Sequence, residues 1–307
     1  MLQDYKKHCE EREKQSIPPL PLSAQQTSDL VELLKAEHKE SELLLELLRE
    51  RVPAGVDQAA YVKAGFLADI TTDEASSPYI SKKEAVMILG TMLGGYNIQP
   101  LIKCLESDEL GEEAATALSK TLLIFDAFNE VLALSETNKN AKTVIDAWAE
   151  GLWFKEKQEI AEQIKLTVYK VPGEINTDDL SPATDAWSRP DIPLHALAMF
   201  KMPREGLDKP LETIEDLKKK GNPLVFVGDV VGTGSSRKSA TNSVLWHMGD
   251  EIPCIPNKKE GGFCFGGKIA PIFFNTLEDS GAFPVECDVS KLNMGQEIYL
   301  NHLMEKS

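Results

Sequence analysis

In the first half of the chain, apolar residues recur at three- and four-residue steps, the spacing of one helix face. Residues 28–37 set Leu30, Val31, Leu33 and Leu34 on a common face behind Ser28 as a cap, and 41–52 repeat the pattern before Pro53 stops it. Asp57 heads a helix over 58–70. Ser81 with Glu84 forms the Ser-x-x-Glu box that opens a helix through Ala85–Leu89. The same spacing predicts helices over 98–106, 110–133 and 138–163, the last striped by Val144, Ile145, Trp148, Leu152 and Trp153. Helices of this length on short loops suggest stacked antiparallel pairs, a HEAT-type α-solenoid, with an irregular helical bundle as the alternative. Nothing in this half looks like chemistry. The Leu and Trp stripes read as core, and His8 and His38 read as surface residues in charged surroundings.

Near residue 164 the period changes. The run 164–171 (IKLTVYKV) is β-rich and ends at Pro172-Gly173, and a second strand is expected at 224–231. A helix is expected at 236–248. Short apolar segments at 252–255, 263–265, 269–274 and 283–286 then alternate with Gly and Pro turns. The chain is thus multidomain, α followed by α/β, with one domain over 1–160 and another over 161–307.

The second strand runs into GDVVGTGSSRKSATNSV (228–244), the grammar of a strand, a tight turn and a helix start. A phosphate-binding P-loop needs a glycine where this sequence has Arg237, and the dinucleotide pattern Gly-x-Gly-x-x-Gly fails at the same residue. What remains is Gly-x-Gly-Ser-Ser-Arg opening a helix. Gly232 and Gly234 permit positive φ, helix amides favour an anion, and Arg237 offers a planar fork suited to a carboxylate. Ser235 and Ser236 can donate, accept or, beside preorganised donors, surrender a proton. A merely capped turn with a solvent-facing arginine fits the same residues. The polar stretch 174–199 holds Asn176, Asp178, Asp179 and Ser181-Pro182, then Trp187-Ser188-Arg189-Pro190-Asp191. A loop this polar is costly to order unless it binds something. Pro190 should push Arg189 to an extended backbone and project its side chain, the alternative being a salt bridge to Asp185 or Asp191.

Composition narrows the partners. The 307 residues carry 49 acids against 33 bases, net −16. Residues 1–150 hold 26 acids and 15 bases, so the helical half is at −11. Such a surface repels phosphate backbones and anionic lipid, and a small anionic substrate needs a locally positive pocket. The charged N-terminus has no apolar core of a secretory signal, and no apolar run reaches the roughly 18 residues that span a bilayer, so a cytoplasmic location is expected. Five cysteines (Cys9, Cys104, Cys254, Cys264 and Cys287) without a Cys-x-x-Cys pair are expected to be free thiols, mostly buried, with Cys254 and Cys264 structural.

The stretches 57–68 (DQAAYVKAGFLA), 89–102 (LGTMLGGYNIQPLI), 176–199, 228–246 and 267–286 together resemble the aconitase B family, bacterial bifunctional aconitate hydratases and 2-methylisocitrate dehydratases. The resemblance implies a HEAT-like domain followed by an aconitase-type swivelling β/β/α domain that supplies one wall of an active site. It implies Ser235 as the base that removes a carbon-bound proton, Ser236 and Arg237 as carboxylate ligands, and Arg189 as a further one. The implied substrates are citrate, cis-aconitate and isocitrate. Family enzymes are nearly three times longer, and their remaining domains carry the cysteines of a [4Fe-4S] cluster, so this chain is expected to ligate no metal and to be inactive alone, its swivel domain truncated at the C-terminus. Alternative expectations are a small subunit of an isopropylmalate-isomerase-like hydro-lyase, or a non-catalytic module that dimerises or binds messenger RNA, the last disfavoured by the acidic helical half.

Overall fold

The computed structural model describes residues 1–121, 127–152 and 161–301. The expected 110–133 helix is not one helix, since it ends at Ser119 and a separate helix begins at Phe128; residues 122–126 of that span, and Trp153 with the continuation of the 138–163 helix as far as residue 160, lie outside the described residues. These cluster into two compact units. The first is Met1–Glu10, Pro19–Gln158 and Pro253–Pro256; the second is Glu11–Pro18, Glu159–Ile252 and Asn257–Ser307.

After α1 (Leu2–Glu13), which the periodicity did not announce, the first unit contains α2 (Ala24–Leu34), α3 (Ser41–Glu50), α4 (Gln58–Thr71), α5 (Lys82–Gly90), α6 (Ile98–Cys104), α7 (Gly111–Ser119), α8 (Phe128–Leu134) and α9 (Lys139–Glu150). Asp57 and Ser81 cap α4 and α5 as their positions require. Helix α2 begins earlier than expected. Ser23, not Ser28, is its cap, in a reciprocal box with Gln26. Helix α9 ends at Gly151, whose φ of 65° is the left-handed conformation that terminates a helix and that a period count does not register. Helix α2 packs on α4, α4 on α5, α5 on α7 and α7 on α9, and Leu30, Leu34, Leu44, Leu67, Leu89 and Leu101 fill the core between them. Lys63 is buried among these helices, and burial pushes its ammonium down to about 8. His8 and His38 are half-buried rather than plain surface groups. Their Nε2 and Nδ1 atoms accept the amides of Leu20 and Glu40 at 3.0 and 3.1 Å.

The second unit is built on a five-stranded sheet in the order β6-β5-β2-β1-β7. Strands β1 (Gln163–Asn176), β2 (Leu224–Thr233), β5 (Phe263–Ile269) and β6 (Phe283–Glu286) are parallel, and β7 (Glu297–Asn301) is antiparallel to β1. The two-residue strands β3 (Asp250–Glu251) and β4 (Lys259–Glu260) pair separately. The crossovers carry α10 (Thr177–Leu180), α11 (Ile192–Ala196), α12 (Pro210–Lys218), α13 (Arg237–Met248) and α14 (Pro271–Asp279). Both faces of the sheet are covered: Tyr169, Val171 and Phe226 belong to one core, and Leu166, Val168, Val225 and Val227 to another. Burial on both faces explains why these strands read as continuous apolar runs.

Two expectations fail here, on the end of the first strand and on the burial of the thiols, and the apolar run 269–274, left unassigned from sequence, finds its element. Strand β1 does not end at Pro172-Gly173; it bulges there and resumes at Glu174. The missing proline N–H falls at the bulge, where the ladder needs no donor, and Gly173 N instead donates to Asp229 Oδ2 at 2.7 Å. The run 269–274 is mostly the start of α14, because Pro271 sits at its first turn where a helix tolerates it. Of the five free thiols only Cys104 and Cys264 are buried.

Candidate functional site

Strands β1 and β2 are adjacent and parallel, so the segments that follow them leave the sheet at the same edge. Their last paired residues are Asn176 and Thr233. This topology joins the Asn-Thr-Asp-Asp turn to the glycine turn, more than fifty residues apart in sequence. The fit between them is close. A Cβ on Gly234 (φ +110°) would stand 2.5 Å from Thr177 Oγ1 and 2.6 Å from Asn176 Oδ1, and one on Gly232 (φ +82°) would stand 2.2 Å from the Phe273 ring. Both positions therefore require glycine twice over, for backbone angle and for space.

Asn176 caps α10 reciprocally with Asp179, and Arg204 holds the Asp179 carboxylate at 3.1 Å. The polar loop is thus ordered by its own caps and turns, not only by a ligand. From this frame Thr177 Oγ1 accepts Ser236 N at 3.2 Å, and the Ser236 hydroxyl donates to Asp178 Oδ1 at 3.5 Å. Arg189 Nη2 donates to Ser236 Oγ at 3.1 Å and to the Ser181 carbonyl at 3.4 Å. Arg189, Ser235, Ser236 and Arg237 are brought to one turn.

The backbone of Arg189 differs from the expectation. At φ −54° and ψ −34° it is helical despite the following proline. Its amide closes a turn on Ala186 O at 3.2 Å, and this local bond outweighs the preference set by Pro190. Neither expected salt bridge forms. Asp185 is taken by Lys201 at 2.9 Å, which holds its carboxyl below the usual range, and Asp191 is taken by Arg12 at 2.6 Å. The guanidinium of Arg189 therefore has no carboxylate partner among the described residues, and its buried Nε has no hydrogen-bond acceptor. A buried donor left in that state is costly and marks a place where an acceptor belongs.

Arg237 opens α13 and folds back, with Nη1 3.2 Å from Gly234 O. No side chain caps α13, so the amides of its first turn carry the helix's partial positive charge toward the same turn. Ser235 is exposed at the tip. From sequence, Asp178 and Ser181 read only as part of a polar binding loop, without a role, and Thr177 and Ser239 are not singled out. The Asn-x-x-Asp cap is a legible signal for Asp178 and Thr177, whereas the serines carry no pattern of their own. A cleft of about 490 Å³ lies elsewhere, lined by Asp229, Lys268, Glu286 and Asp288, and includes none of these residues.

The donor set does not fit an iron–sulfur cluster. Burial pushes the Cys264 thiol up to about 12, far from thiolate character, and no three His, Cys, Asp or Glu residues are grouped to hold a metal among the described residues. Among those residues no helix is long and apolar enough to cross a membrane.

Two family models match the chain. Residues 4–154 match the aconitate B N-terminal domain, and residues 166–306 match the aconitate hydratase 2 N-terminus. Aconitate hydratase B of Synechocystis sp. is 64% identical over 97% of this chain and 34% of its own length. The Escherichia coli protein of the same name is 59% identical over 97% of this chain and 36% of its length. A solved 3-isopropylmalate dehydratase from Methanocaldococcus jannaschii is 19% identical, covering 45% of this chain and 71% of its own, with a TM-score of 0.32, a likeness too slight to bear on fold or function. The chain spans about a third of the length of the curated relatives it matches. Its residues 4–154 and 166–306 belong to the aconitate hydratase B family, whose N-terminal part they represent.

Proposed function

We propose that this chain forms the carboxylate-binding wall of a hydro-lyase site that interconverts citrate, cis-aconitate and isocitrate, with 2-methylisocitrate as a further candidate substrate. The observation that carries this reading is the Arg189–Ser236 contact at 3.1 Å beside an unpartnered Arg189 Nε. Arg189 and Arg237 would each take a substrate carboxylate, with Ser236 and the first amides of α13 completing the cradle. Ser235 would be the base. An ordinary serine hydroxyl is far too weak to take a carbon-bound proton, and it needs fixed positive charge around its alkoxide. Two guanidiniums and an uncapped helix start are the kind of surroundings that supply it.

The same reading takes the helical part, 1–160, as a HEAT-like solenoid, supported by packing in which α2, α4, α5, α7 and α9 follow one another in chain order. It takes 161–307 as the swivelling domain. Since these cysteines do not suit a [4Fe-4S] cluster, that group would be held by the other two thirds of a full-length enzyme, and the chain alone would be inactive. The test is to assay cis-aconitate absorbance with this chain, with a cluster-bearing remainder, and with both. Activity only in the mixture supports the reading; activity of the chain alone defeats it.

A further inference from the structure

We infer that His195 is a positioning residue for Arg189, a neutral imidazole that locks the arginine segment onto the start of α13. The inference rests on the carboxylate-binding reading above and deepens it. His195 is 2% exposed on α11 and lies between two serine hydroxyls. Its Nδ1 is 2.8 Å from Ser188 Oγ, on the residue immediately before Arg189. Its Nε2 is 2.8 Å from Ser181 Oγ, on the residue whose carbonyl receives the Arg189 guanidinium. Ser181 Oγ is in turn 2.7 Å from Ser239 Oγ in the first turn of α13, and Ser239 Oγ is 3.2 Å from the Ser236 carbonyl. One ring therefore links the backbone that launches Arg189, the carbonyl that steers it and the helix carrying Ser236.

Two carbonyl bonds compete for the tautomer, and the shorter one, at Ser188, selects it. Ser188 gives its proton to the Asp185 carbonyl at 2.7 Å, so its oxygen can only accept from the ring, and Nδ1 carries the hydrogen. On a neutral ring Nε2 then accepts the Ser181 hydroxyl hydrogen, and Ser239 gives up the Ser236 carbonyl at 3.2 Å to donate to Ser181, so the longer carbonyl bond yields to the shorter one at Ser188. A second proton on Nε2 would commit the Ser181 proton to Ser239 and keep Ser239 on the Ser236 carbonyl, the opposite run of donors. Two charged groups act on the ring. Arg189 opposes that protonation, as burial does, and Asp185, itself occupied by Lys201, offsets them only in part. The imidazole serves as a fixed two-ended connector rather than as an acid or base, because nothing places it against the reacting turn directly.

The test uses three variants in the full-length enzyme that contains this segment: His195→Phe, which keeps volume and removes both bonds, His195→Gln, which can still accept from Ser181, and Arg189→Lys. Positioning predicts that His195→Phe raises KM about tenfold through the misplaced guanidinium, that His195→Gln recovers part of this, and that His195→Phe adds almost nothing on top of Arg189→Lys. Losses that add in the double variant, or a wild-type KM in His195→Phe, overturn the inference. Independently, long-range proton–nitrogen spectra of histidine-labelled chain should show a ring protonated on Nδ1 whose signals vanish in His195→Gln; an Nε2-protonated ring also overturns it. If Arg189→Lys itself keeps the wild-type KM, the carboxylate reading fails, while the tautomer still reports on His195.

Discussion

The helical and sheet-based units make opposite use of their polar groups. In the helical unit the helix caps are satisfied within a few residues: Ser23 with Gln26, Asp57 with Ala59, Asn138 with Ala141. In the sheet-based unit the decisive polar contacts cross long stretches of chain, 47 residues between Arg189 and Ser236 and 58 between Ser181 and Ser239. Local capping builds a scaffold. Long-range satisfaction is incomplete, and of the buried groups left without a partner there, Tyr169 Oη, Thr241 Oγ1 and Arg189 Nε, the arginine belongs to the segment that meets the glycine turn. Candidate chemistry in this chain follows the parallel crossover, not the density of charged residues.

The contrast is broken most severely through the glycine turn. Ser235→Ala or Arg237→Lys in a full-length enzyme should lower turnover about a thousandfold with the melting temperature unchanged, read by cis-aconitate absorbance. Wild-type turnover in both would reduce the turn to a structural element. Next in size is Gly232→Ala, whose new Cβ would stand 2.2 Å from the Phe273 ring at a φ of +82°. Strain and displacement together should cost about 3 kcal/mol or more, measured by urea denaturation, while Gly95→Ala in the helical unit, with open space around it, should cost less.

The two units also differ in how they answer pH. His247 is buried in the sheet-based unit, and burial pushes it down from 6.5 to about 4. A histidine depressed on folding contributes stability that is complete above its unfolded pKa and is lost as pH falls from about 6.5 towards 4. The full loss is about 3 kcal/mol. Denaturation midpoints should fall across that window in the wild type and fall less in His247→Gln. Lys63 in the helical unit is depressed from 10.5 to about 8, so its cost to the fold is relieved as pH rises through that interval. Lys63→Met should stabilise the protein by about 1–3 kcal/mol at neutral pH and flatten its stability between 8 and 10.5. A variant less stable than the wild type would mean the ammonium has better partners than its 3.4 Å contact with Arg49 O.

The long apolar stripes of 110–133 and 138–163 overran the actual helix ends. The shorter stripes at 41–52, 58–70 and 98–106, the caps at Asp57 and Ser81, the strands starting near 164 and 224 and the Gly-x-Gly turn were legible in the sequence by itself, because each depends on residues within a few positions. Ser235, Ser236 and Arg237 were legible for the same reason, being consecutive at a helix start. Arg189 is grouped with them only by family resemblance; its contact with Ser236, the loss of Asp185 and Asp191 to Lys201 and Arg12, and the place of His195 behind it come from the fold. Those outcomes depend on β1 lying beside β2 in parallel register, which brings together loops the chain keeps far apart. They also depend on which cation reaches each carboxylate first, a competition among side chains from separate elements that spacing along the chain does not encode.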